Sequence, residues 1–194
     1  FYSDSKLPKL IHHNNEVDAM VYIDLLGDPA YRHMLLNHVP IIGLFVAFLV
    51  LSTGLVLRQT AVLFIGLVLV ALTAGASIPV ANYGDAAYPV IYDRLDGAGQ
   101  KWLDHHAELA ETWLPVLIAT AALAALAIVV GAWRRPLLPW AALLVAVVTL
   151  LGIGGASVVA RAGGQIQHME FRVGDPPIVE AGSRGQSGSK GSES

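Results

Sequence analysis

Seven histidines in a chain of 194 residues without a single cysteine limit the chemistry this protein can carry out. They are His12, His13, His33, His38, His105, His106 and His168. A neutral imidazole binds haem iron or a transition metal through one ring nitrogen while the other nitrogen takes a hydrogen-bond partner that orients the ring. The lack of Cys removes thiolate metal sites, covalent CxxCH haem attachment and disulfides. No P-loop, GxSxG, HExxH or dinucleotide fingerprint occurs, and nothing groups a nucleophile, a base and an oxyanion donor. A non-catalytic role is therefore expected.

The elements that must position these imidazoles read as helices. Asp28-Pro29 supplies an N-cap acid and a first-turn proline, so a helix starts there. On it His33 and Asn37 lie one turn apart on one face, with His38 adjacent. Pro40 lacks an N–H, leaves the Leu36 carbonyl without its partner and predicts a kink. The bland alternative is that Asn37 and His38 hydrogen-bond this loosened backbone or sit among lipid headgroups. Further on, Trp102, His106, Leu109 and Trp113 recur at i, i+4, i+7 and i+11, opposite Asp104, Glu108 and Glu111, so His106 shares the apolar face and His105 does not. An imidazole buried beside two tryptophans needs a partner for its ring nitrogens. Near the end of the chain, Gly163-Gly164 is expected to stop a helix and fold the chain back, so that His168 joins the other histidines; a solvated residue beside Glu170 is the competing expectation.

The surrounding composition places these helices in lipid. Hydrophobic residues make up 55% of the chain and charged residues only 14%, against about 25% charged in an ordinary soluble domain. Mean hydropathy is +0.58. The net charge of −3 leaves no basic footprint for nucleic acid. Charge-free runs at 33–57, 59–84, 112–133 and 136–160 are each long enough for the ~20 residues that cross a bilayer as a helix. The expected spans are 33–57, 60–82, 100–133 and 136–161. Joints as short as Arg58-Gln59-Thr60 and Arg134-Arg135 force spans one and two, and three and four, into antiparallel hairpins. The fold class is thus all-α, an integral membrane four-helix bundle with an interfacial N-terminal arm (1–28), a transmembrane domain (29–172) and an extended, flexible C-terminal tail (173–194). Residues 15–27 read as a short amphipathic helix lying flat on the membrane, residues 83–99 as a surface loop, and the Gly/Ser-rich tail as disordered. No internal repeat is evident.

Arg58, Arg134 and Arg135 lie at one end with no acid, while nine basic and all fifteen acidic residues lie at the other with all seven histidines. The three-arginine end is expected to be cytoplasmic. Phe1 as first residue suggests a processed, exported N-terminus, so both termini are expected outside a bacterial inner membrane. Ala119, Ala122, Ala125 and Ala127, with Gly152 and Ser157, are small residues that allow close helix packing, within this chain or with other subunits of a larger membrane complex.

Two segments, Leu36-Asn37-His38-Val39-Pro40-Ile41-Ile42-Gly43 and Gly163-Gly164-Gln165-Ile166-Gln167-His168-Met169-Glu170, resemble a family of predicted four-helix bacterial membrane proteins of unknown function. The likeness covers roughly residues 30 to 172. Relatives tend to have Thr-Gly late in the second span, where this chain reads Thr73-Ala74-Gly75, and a His-Glu-rich entry to the third, here Asp104-His105-His106-Ala107-Glu108. Similar domains accompany redox modules such as Rieske centres, which implies haem by association. Three functions are carried forward. The first is a subunit of a respiratory or photosynthetic electron-transfer complex binding b-type haem near the extracytoplasmic face, with His38 and His106 as the expected iron ligands and His33 and His168 close by. The second is a structural subunit without cofactor. The third is a metal-handling protein in which the histidines and Glu108 bind copper or zinc.

Overall fold

The computed structural model describes residues 25–172 and Gly174. The expected arm and tail fall almost entirely outside these residues, as do His12 and His13. Four helices make up the described chain: α1 (Pro29–Leu57), α2 (Thr60–Tyr92), α3 (Gly97–Trp133) and α4 (Leu138–Gln167). Each is long and apolar enough to cross a bilayer, and the protein is an all-α membrane four-helix bundle.

Local sequence explains where each helix begins and ends. The Asp28 carboxylate accepts from the Ala30 N–H and caps α1, and the Asp96 carboxylate caps α3 through the Gly99 N–H. At Pro40 the missing donor is accommodated as a π turn over Val39–Gly43, which shifts the phase of the first three turns of α1 relative to the rest. The α1–α2 turn closes with Arg58 in the left-handed region at φ 54°, which lets the Gln59 N–H reach the Gly54 carbonyl.

The core is made of leucine, valine and alanine from all four helices, among them Leu44, Leu51, Leu67, Val70, Ala124, Ala142 and Val145. In lipid the close fit of these surfaces, rather than exclusion from water, holds helices together. Small residues make that fit possible. A Cβ at Gly66 would stand 2.7 Å from the Leu51 Cα, so α1 and α2 meet backbone to backbone there. At Gly155 a Cβ would fall 2.2 Å from the Trp113 ring, which lies flat on α4. Large side chains such as Phe45, Leu49, Val56, Leu72 and Val147 point outward, as a lipid-facing surface requires. Helix α1 packs on α2 and α4, and α3 packs on the same two, so α1 and α3 lie on the diagonal of the bundle.

Two expectations are corrected. Residues 83–99 do not form a loop: α2 stays helical through Tyr92, and only residues 93–96 connect it to α3. Tertiary packing overrides the Pro, Gly and Asp content, because Tyr88, Ile91 and Tyr92 cover Trp102, Leu103 and Ile166 in a second small core. The Gly163-Gly164 pair does not stop α4 either, which continues to Gln167. The chain ends that helix instead with Arg172, whose guanidinium donates to the carbonyls of Gln165 (2.7 Å) and Ile166 (2.8 Å).

Candidate functional site

The diagonal placement of α1 and α3 brings His33 and His106 together at the end of the bundle opposite the two short turns. Their ring centroids are 6.2 Å apart and their planes lie nearly perpendicular, at 85°. Each ring is pinned in the same way by the second helix of its own hairpin. His33 Nδ1 lies 2.9 Å from the Val80 carbonyl on α2, and His106 Nδ1 lies 3.0 Å from the Val159 carbonyl on α4. A carbonyl oxygen only accepts, so in the neutral rings Nδ1 carries the proton and Nε2 holds the lone pair. Among the described residues no group takes up either Nε2.

Each ring also rests on a glycine four residues beyond the carbonyl it binds. A Cβ at Gly84 would stand 2.9 Å from His33 Nδ1, and one at Gly163 would stand 3.2 Å from His106 Cε1. The same three-part device (a histidine early in the first helix, a carbonyl on the second, a glycine one turn on) therefore occurs once in each hairpin. It is a structural repeat that no residue-by-residue likeness between the halves reveals. One turn below His33, Asn37 Oδ1 is buried with no donor among the described residues. A buried acceptor left in this state calls for a bound group or water to satisfy it.

The other candidates lie elsewhere. His38 is exposed and its Nδ1 lies 3.1 Å from the Met34 carbonyl of its own helix, so His33, not His38, is the ring that faces His106. His105 lies edge-on to Trp102 at 6.2 Å. His168, with its side chain 55% exposed, lies 2.9 Å from a Glu170 carboxylate oxygen and is tilted on the Phe171 ring. It does not fold back to join the pair, because the Gly163-Gly164 turn that would have carried it there is helix. Glu170 has its carboxyl held below the ordinary 4.5 by its own backbone N–H first and the His168 hydrogen bond second. No group of three or more His, Asp or Glu side chains converges among the described residues. The choice of His33 was available from phase: His33 and Asn37 share one face of α1, whereas His38 falls in line with the exposed Met34. Gly84 and Gly163, each late in the second helix of a hairpin, carried the other half of the signal.

No family model, curated protein or solved structure matches this chain.

Proposed function

We propose that this chain is a non-catalytic, multi-pass subunit of a bacterial membrane electron-transfer complex that holds b-type haem between His33 and His106. The observation that carries the reading is the imidazole pair itself, one ring from each diagonal helix, each fixed through Nδ1 with Nε2 left to coordinate. The two rings stand 6.2 Å apart on different helices, so a group bound between them would take one imidazole from each. Two protein ligands suffice for haem but not for a closed zinc or copper site. Held by His33 and His106, haem would supply one-electron transfer at this site. Trp102, four residues before His106 on α3, is buried, and Asn37 Oδ1, without a donor among the described residues, lies one turn from His33 on α1.

The three-arginine end is assigned to the cytoplasm and the imidazole end to the extracytoplasmic face of a bacterial inner membrane. Ala119, Ala122 and Ala125 form an outward-facing stripe on α3 that suits a neighbouring transmembrane subunit. The test is an optical spectrum of the full-length protein purified from its native membrane, oxidised and reduced. Sharp reduced bands of a low-spin b-type haem support the reading. A featureless visible spectrum refutes it and leaves the cofactor-free structural role.

A further inference from the structure

The opposite end of the bundle carries Arg58 on the first short turn and Arg134 and Arg135 on the second, all exposed. None of the three guanidinium groups makes a hydrogen bond or ion pair with another described residue, and no carboxylate occurs between His33 and Gly84 or between Thr112 and Ala160. Fifteen guanidinium N–H donors thus gather at the rim of an otherwise apolar bundle. Arg135 is not free to wander, because its guanidinium lies 5.5 Å over the ring of Phe64 on α2, across the joint between the two hairpins. A guanidinium held by its face keeps its N–H edge available for bidentate contact with a phosphate. Around these cations stand Trp133 (84% exposed), Trp140 (71%) and Val56 (80%). Such residues lie where acyl chains give way to headgroups.

We propose that this end binds the headgroup of an anionic phospholipid, with Arg134 and Arg135 gripping the phosphate, Phe64 holding Arg135 in place and Arg58 at the rim. The acid-free donor set selects an anion. The exposed tryptophans and aliphatic side chains select one that carries its own hydrocarbon, rather than a soluble phosphate. The site is independent of the imidazole pair and stands whether or not haem is bound there.

The test titrates delipidated full-length protein in neutral detergent with short-chain phosphatidylglycerol, phosphatidylcholine and inorganic phosphate, counting bound molecules by native mass spectrometry. Phosphatidylglycerol is expected to bind more tightly than either of the others. Replacing both Arg134→Gln and Arg135→Gln is expected to weaken it about thirtyfold, at roughly fivefold per arginine near an anionic surface. Phosphatidylcholine binding should stay unchanged. Phe64→Leu, which keeps apolar bulk but removes the ring face, is expected to weaken phosphatidylglycerol several-fold, and this variant decides the matter if the double variant fails to fold. Equal affinity for the two lipids, or unchanged phosphatidylglycerol affinity in the variants, overturns the proposal. Inorganic phosphate binding as tightly as phosphatidylglycerol overturns the lipid assignment.

Discussion

A glycine beneath an imidazole is the smallest unit of this structure with a functional consequence. Gly84 and Gly163 leave room for rings whose Nδ1 atoms sit on Val80 and Val159, and a methyl group there displaces the ring rather than the backbone. Gly84→Ala and Gly163→Ala are each expected to cost about 1–3 kcal/mol through overpacking, with Gly84→Ala the worse because its contact is closer. Thermal unfolding of the detergent-solubilised variants against wild type measures this. Haem content, where the proposed ligation holds, should fall along with it. At the exposed end of α4, Glu170 titrates below 4.5 because its carboxylate accepts from its own backbone N–H and then from His168. Its folded value lies below its unfolded value, so what the ionised form contributes is present above the unfolded value and is lost as pH falls through the folded one. An NMR titration of the Glu170 side chain should give a midpoint under 4.5 in wild type and a higher one in His168→Ala. These single-residue effects were partly legible beforehand: the Trp102–His106–Trp113 stripe placed His106 on the packed face. Helical phase, which sets His33 and Asn37 on one face of α1, is what separates His33 from the exposed His38.

At the scale of elements, helix boundaries depended on tertiary partners. Span cores and short turns followed from charge-free length, since no soluble alternative accommodates four such runs. The kink expected at Pro40 takes the form of a π turn, because a proline cannot donate and the surplus residue is absorbed locally. Residues 83–92 escaped recognition because their composition breaks helices in isolation, whereas Tyr88, Ile91 and Tyr92 gain enough contact on Trp102 and Ile166 to keep the helix going. The Gly163-Gly164 pair misled in the same way, as Gly163 serves ring contact and not chain reversal. The strongest element-level constraint is the crossing of α1 and α2 at Gly66, where the obstructing atoms are backbone atoms of Leu51. Gly66→Ala is therefore expected to exceed either site glycine in cost, at ~3 kcal/mol or more, and to separate the helices. Its thermal midpoint should lie below those of Gly84→Ala and Gly163→Ala, and an equal or higher midpoint would show that the hairpin can open without penalty.

Taken whole, the molecule is two hairpins that each contribute one imidazole, closed at one end by short arginine-bearing turns and capped at the other by the small Trp102–Tyr88 core. The pairing of diagonal helices was legible from the up-and-down topology, but the repeat of histidine, carbonyl and glycine was not, because it joins residues 47 positions apart in one hairpin and 53 in the other. The proposed orientation predicts that cysteines introduced at positions 58 and 134 resist a membrane-impermeant thiol reagent in intact cells and react in inverted vesicles; efficient labelling from outside reverses the topology. The central claim is that His33 and His106 act as one pair, and the most direct measurement is haem content per protein in His33→Ala, His38→Ala and His106→Ala variants, purified in parallel with wild type. Haem is expected to be lost in the His33 and His106 variants and retained in the His38 variant. Retention after His33→Ala with loss after His38→Ala, or a wild-type protein without haem, would contradict the claim.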